Sequence, residues 1–216
     1  MREIRFALFD FDGVIADTEL SNAGYLSRAL EHYGVILSEA EKRRLPGVND
    51  AAMVAEFLKR ASTKVSLEEF QAYRKSQGNT YVNGNLRTMP GLTRVLERLR
   101  EMGIPLALVS STSTYLIEAA LQRLGLTDFF PVVIGGDMVR RRKPDPEPYQ
   151  TAMRLLNARA EECLIVEDSP VGIRAGKAAG GTVVGYRGSE LRQDVSEADY
   201  RLDSYAHFFS LPLHFQ

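Results

Sequence analysis

Five short runs in this chain are apolar, rich in branched residues and uninterrupted by charge over their last few positions. They are IRFALF before Asp10, IPLALV before Ser110, PVVI before Gly135, CLIV before Glu167 and GTVV before Gly185. Strands that alternate apolar and polar residues bury one face, whereas continuous hydrophobicity over four to six residues marks strands buried on both faces, the habit of parallel sheets. Parallel neighbours need long crossovers, and the intervening segments supply them as helices. GLTRVLERLREMG puts Leu92, Val95, Leu96 and Leu99 on one stripe, with Gly103 placed to end the helix. TYLIEAALQRLG repeats the pattern and stops at Gly125. DPEPYQTAMRLLN predicts a helix with Asp145 as N-cap and Pro146 as first helical residue, and SPVGIRAGKAAG one with Ser169 and Pro170 in those places. The expected fold is therefore α/β, a doubly wound parallel sheet with right-handed crossovers.

Residues 17–85 break that rhythm. DTELSNAGYLSRALEHYG, NDAAMVAEFLKR and SLEEFQAYRKSQG all read as helices, and Ser38 with Glu41 and Ser66 with Glu69 have capping-box spacing. The segment predicts an all-helical domain inserted into a core formed by residues 1–16 and 86–216, the chain returning through the turn-rich VNGNLRTMPG. A length of 216 residues suits a main domain with a smaller insertion.

Composition excludes several classes. A formal net charge of −1 gives no broad footprint for nucleic acid or an anionic membrane. No apolar stretch reaches the roughly 18 residues of a membrane span. The start MREIRFALFDFDG lacks a signal-peptide pattern, so a cytoplasmic location is expected, with a monomer as the default. Cys163, the single cysteine, rules out an internal disulfide and reads as a packed core residue. His32, His207 and His214 fall outside every motif.

In open α/β sheets ligands bind outside the carboxyl ends of the strands. Those ends carry Asp10 and Asp12, Ser110, and Glu167 and Asp168, with Lys143 between the third and fourth runs. Four carboxylates in one crevice repel one another unless a cation lies among them, and oxygen donors favour Mg²⁺. With the charge neutralised, a carboxylate becomes usable as a nucleophile toward phosphorus, which calls for positive charge on the phosphoryl oxygens and a proton donor for the leaving alkoxide. Lys143 and the metal can supply the charge, Ser110 a hydrogen bond and Asp12 the proton. Asp17 and Glu19, at the entry to the helical segment, suit the positive end of a helix dipole. Arg140, Arg141 and Arg142 read as a solvated loop.

The same residues carry a family resemblance. FDFDGV resembles the D-x-D-G-[TV] motif of the haloacid dehalogenase superfamily, LVS the second motif at Ser110, KPDP the third at Lys143 and VEDS the fourth at Glu167 and Asp168. All four occur in order, and the helical insertion resembles that superfamily's C1 cap. The resemblance implies a Mg²⁺-dependent phosphatase acting on a small phosphorylated metabolite, foremost a sugar phosphate. Asp10 would become aspartyl phosphate and Asp12 serve as general acid and base. Ser110, Ser111 and Lys143 would hold the phosphoryl group. Asp10, Asp168 and the main-chain carbonyl of Asp12 would bind the metal, with Glu167 binding it directly or through a neighbour. Cap residues Asn22, Gly47, Asn49 and Asp50 are candidate substrate contacts. The competing branch is β-phosphoglucomutase. Its histidine in the first cap helix aligns with Asn22, and its basic cap positions align with Pro46 and Asp50, departures that favour the phosphatase.

Overall fold

The computed structural model describes residues 3–42, 45 and 51–216. The stretch Thr18–Asn85 forms one compact unit; the chain up to Asp17 and from Leu86 to Gln216 forms another. In chain order the elements are β1 (Glu3–Ile4), β2 (Phe6–Phe9), α1 (Glu19–His32), α2 (Glu39–Lys42), α3 (Ala51–Leu58) and α4 (Leu67–Ser76), followed by α5 (Leu92–Glu101), β3 (Leu106–Val109), α6 (Thr114–Leu124) and β4 (Val132–Ile134). Then come α7 (Glu147–Leu155), β5 (Cys163–Glu167), α8 (Pro170–Ala178), β6 (Thr182–Tyr186), β7 (Tyr200–Leu202) and β8 (His214–Phe215).

Six strands form one parallel sheet in the order β4-β3-β2-β5-β6-β7. The chain winds outward from β2 through β3 to β4, then returns to the other side of β2 for β5, β6 and β7. The reversal lies between β2 and β5, whose carboxyl ends carry Asp10 and Glu167. Both faces are buried, as the continuous apolar runs require. Leu8, Ala107, Val109, Ile134, Ile165 and Val183 pack with Tyr149, Ala152 and Met153 of α7 and Ile173 and Ala175 of α8. The alternate positions Phe9, Leu108, Val166 and Val184 are buried as well, pointing to the opposite face.

The helices form where capping and patterning direct. In α5 the buried residues are Leu92, Val95, Leu96 and Leu99, and Gly103 beyond its end takes the left-handed φ of +74°. The Ser169 hydroxyl accepts from the Gly172 amide at 3.0 Å, with Pro170 in the first turn of α8. The start of α7 differs from expectation: Pro146 takes the N-cap position, and Asp145 lies outside it while its carboxylate still accepts from the Glu147 amide at 2.9 Å.

Three other details depart from the sequence reading. The first apolar run is broken at Arg5, an exposed residue whose amide bonds the Glu162 carbonyl at 2.9 Å. The short strand before it pairs with β8 in a separate two-stranded sheet. Strand β7 adds a sixth member to the main sheet, because three residues with one charge in the middle make no apolar run.

The helical unit has its own core, built from Leu26, Ala29, Leu30, Val35, Leu37, Leu45, Val54 and Phe70. Both capping boxes form. The Glu41 carboxylate accepts from the Ser38 amide at 2.8 Å, and that of Glu69 from the Ser66 amide at 2.7 Å. His32 stacks on Tyr73 with ring centroids 4.0 Å apart, a packing role. Among the described residues no helix is long and apolar enough to cross a membrane.

Cys163 begins β5 with no exposed surface. Burial pushes its thiol up to about 12, and its Sγ reaches the Arg159 carbonyl at 3.3 Å. A thiolate is the reactive form. A thiol reagent at pH 8 should therefore leave the native protein unlabelled over the time in which it fully labels the denatured chain; comparable labelling rates would show that β5 is not packed as described.

Candidate active site

The sheet ladder continues one residue past β2, where the Asp10 amide donates to the Val166 carbonyl at 3.0 Å. The chain then turns back sharply. The Phe11 carbonyl accepts from the Ile15 and Ala16 amides at 2.8 and 3.2 Å, and the Gly13 amide donates to the Ala16 carbonyl at 2.8 Å. Gly13 adopts φ +79°, and a Cβ there would strike the Asp168 carboxylate. Glycine is thus required twice at one position, for its backbone angle and for the close approach of Asp168.

Beyond β3, the Ser110 amide donates to the Ile134 carbonyl at 2.8 Å, and the buried Ser110 hydroxyl accepts from the Thr112 amide at 3.1 Å. Ser111 is exposed on the same loop. The Thr112 hydroxyl donates to Asp12 Oδ2 at 3.1 Å, tying this loop to the turn after β2. A hydroxyl can donate to a carboxylate or accept from a carboxylic acid, so the contact suits either protonation state of Asp12.

Lys143 reaches in from the loop after β4, its side chain only 4% exposed. Its ammonium lies 2.6 Å from Asp10 Oδ1, 2.6 Å from Glu167 Oε1 and 2.9 Å from the Val109 carbonyl, so three neighbouring strand ends meet on one nitrogen. The ring of Tyr149 lies below it at 4.8 Å. Burial alone would favour the neutral amine, but the attraction of Asp10 and Glu167 outweighs it and holds the ammonium above its ordinary pKa.

Glu167 is fully buried and heavily bonded. Oε1 accepts from Lys143 and from the Tyr149 hydroxyl at 2.7 Å. Oε2 accepts from the Asp168 amide at 3.1 Å, the Ser169 amide at 3.3 Å and the Ser169 hydroxyl at 3.1 Å. A Cβ on Gly172, in the first turn of α8, would land on this carboxylate. The phenol of Tyr149 is held well above its usual pKa, first by burial and then by the charge of Glu167, and so stays a donor.

Among the described contacts, charge at the site is out of balance: Asp10, Asp12, Glu167 and Asp168 against Lys143. The Asp10 carboxyl is accordingly raised well above the usual carboxylate range. Burial is the main cause, Lys143 opposes it, and Glu167 and Asp12 add to it. A divalent cation would relieve the same imbalance. Asp10, Glu167 and Asp168 each offer an oxygen within 4.8 Å of the others. An all-carboxylate donor set fits a hard cation of the Mg²⁺ kind.

Six of the residues singled out in the sequence thus come together through these contacts: Asp10, Asp12, Ser110, Lys143, Glu167 and Asp168. Asn22, in the helical unit, donates its side-chain amide to the Tyr81 hydroxyl at 3.0 Å. Gly47, Asn49 and Asp50, with Pro46, lie outside the described residues. Arg140, Arg141 and Arg142 are exposed, and Arg141 pairs with Asp145 and Glu147. Glu19 begins α1, whereas Asp17 serves the sheet-bearing unit, its Oδ2 accepting from the Glu190 amide at 2.8 Å. Sequence reasoning missed Tyr149, which read only as part of a helix, and Gln193, whose side-chain amide donates to Asp168 Oδ2 at 3.1 Å. It also gave no sign of the bond from the Thr112 hydroxyl to Asp12. No local pattern marks any of the three roles.

The chain is similar to several known proteins. A "phosphorylated carbohydrates phosphatase" of Thermotoga maritima is 34% identical over 80% of this chain and 80% of its own. The validoxylamine A 7′-phosphate phosphatase of Streptomyces hygroscopicus subsp. limoneus is 31% identical over 92% of each. The crystal structure of CbbY from Rhodobacter sphaeroides in complex with phosphate superposes with a TM-score of 0.79 at 26% identity, covering 95% of this chain and 96% of that one. The family model for haloacid dehalogenase-like hydrolases matches residues 7–186, a span that includes every strand-end residue described above, and the chain belongs to that family.

Proposed function

We propose that this hydrolase is a Mg²⁺-dependent phosphatase of small phosphorylated carbohydrates. The observation that carries the proposal is the buried Lys143 ammonium, 2.6 Å from both Asp10 and Glu167 at the carboxyl ends of adjacent strands. The names of relatives that cleave phosphate esters support the same chemistry.

In this reading Asp10 is the nucleophile. Lys143 holds its Oδ1, fixing the carboxylate before substrate arrives, so orientation is not lost to side-chain rotation at the moment of attack. Asp10 attacks phosphorus as the bond to the leaving oxygen breaks, and Asp12 protonates that oxygen. Water then attacks the resulting aspartyl phosphate with Asp12 taking its proton, which restores Asp10 and releases inorganic phosphate. The Thr112 hydroxyl keeps Asp12 in place through both steps. Lys143 and Ser110 face the phosphoryl oxygens with an ammonium and a hydroxyl. Asp10, Asp168 and the Asp12 carbonyl would hold Mg²⁺, which supplies further positive charge when bound. Glu167, with five protein donors on its two oxygens, serves mainly to anchor Lys143. We assign the choice of leaving group to side chains of the helical unit, Asn22 among them.

Phosphate release from a panel of sugar phosphates, with Mg²⁺ and with chelator, tests the reading. Asp10→Asn should lose turnover altogether, because an amide does not form the acyl phosphate. Wild-type release by that variant would remove Asp10 from its role. Conversion of β-glucose 1-phosphate to glucose 6-phosphate without release would favour the mutase branch. Lys143→Ala leaves two buried carboxylates without their cation, a change that typically costs about 3–5 kcal/mol when an ion pair is broken from one side. A large fall in denaturation midpoint in chelator is expected, and an unchanged midpoint would contradict the pairing. Gly172→Ala should displace Glu167, lowering stability by about 1–3 kcal/mol and turnover at least tenfold. Normal turnover would show that the anchor of Lys143 does not matter to the reaction.

A further inference from the structure

One further polar contact reaches the acidic cluster from a loop that none of the four strand-end motifs includes. Gln193 donates its side-chain amide to Asp168 Oδ2 at 3.1 Å. The same oxygen lies where a Cβ on Gly13 would collide with it. Asp168 is 3% exposed and offers a ligand oxygen within 4.8 Å of those of Asp10 and Glu167. We infer that Gln193 is a positioning residue for the metal site, fixing through its side-chain amide the Asp168 carboxylate that Gly13 allows close to the main chain. The inference rests on the metal-dependent reading above and deepens it.

The loop that carries Gln193 is tied down at both ends. Val195 joins the core cluster under the sheet, and a Cβ on Gly185 of β6 would press into its side chain. Two residues before Leu191, the buried Ser189 hydroxyl donates to the Leu191 carbonyl at 2.7 Å. The Glu190 amide donates to Asp17 Oδ2. The span from Ser189 to Val195 therefore crosses from Asp17, the last residue of the sheet-bearing unit before the helical insertion, to Asp168. A neutral amide suits this place: it gives a donor to the carboxylate without adding a fixed charge that would compete with a cation. Beyond it lies an open groove of about 480 Å³, lined also by Arg187, Ser196 and Tyr200. That room lets the side chain be changed without forcing it into Asp168.

Partners that orient a metal ligand typically contribute 10–100-fold to metal affinity. The test is Mg²⁺ binding to the full chain without substrate, by titration calorimetry, for wild type, Gln193→Leu, Gln193→Ala, Arg192→Ala and Asp168→Asn. Thermal melts in chelator accompany each variant. Both Gln193 variants should bind Mg²⁺ about 10-fold or more weakly than wild type while melting close to it in chelator, and Arg192→Ala should bind normally. Should Gln193→Leu fail to fold, Gln193→Ala decides alone. Wild-type affinity in a folded Gln193 variant would overturn the inference, as would an equal loss in Arg192→Ala, which would make the effect one of the loop. Asp168→Asn separates the two levels: if it too binds Mg²⁺ normally, the metal reading fails, and if it alone loses binding, only the role of Gln193 does.

Discussion

A lysine ammonium with almost no solvent around it must find its acceptors in the protein, and the site is arranged around that demand. Removing an ion of this size from water costs several kcal/mol even after relaxation. Asp10, Glu167 and the Val109 carbonyl meet the cost together, and they belong to the ends of β2, β5 and β3. One cation thereby sets the mutual spacing of three strand termini. The rest is support for that arrangement. Tyr149 and Ser169 hold Glu167 from two sides, and Gly172 leaves the space in which its carboxylate lies.

Much of this was legible in the sequence because it depended on residue type and local order. Uninterrupted apolar runs can be satisfied only by burial on both faces, so the central strands and the residues at their ends followed. The stripe of Leu92, Val95, Leu96 and Leu99 and the Ser169–Pro170 start of α8 followed from helical period and capping chemistry. What stayed hidden depends on direction in space. Tyr149 looks like any aromatic on an amphipathic helix until α7 is docked and its hydroxyl meets Glu167. Thr112 looks like one hydroxyl in a run of five until the turn after β2 brings Asp12 to it. Gln193 lies in a polar loop with no period at all. Strand β7 was missed for a related reason: an edge strand of three residues carries too little hydrophobic signal to stand out.

Two glycines show how a crowded acidic site is made possible by what is left out. Gly13 and Gly172 each occupy a place where the smallest side chain would displace a carboxylate, Asp168 in one case and Glu167 in the other. At Gly13 the positive φ adds a second demand. The acidic groups approach backbone closely enough to be held, and their positions are thereby fixed by main chain as well as by side-chain partners.

The strand order has a consequence for how the chain reaches this state. β2 precedes both of its neighbours in the chain, yet it lies at the centre of the sheet, where Ala7 pairs with both Leu106 and Leu164. Both neighbours, β3 and β5, follow only after the helical insertion. Contacts between such distant residues carry a loop-closure cost that must be met before any burial rewards it, which slows folding. An emerging chain therefore holds an apolar strand with unsatisfied edges until β3 and β5 follow, and the helical unit, whose contacts are local, is the part able to fold first.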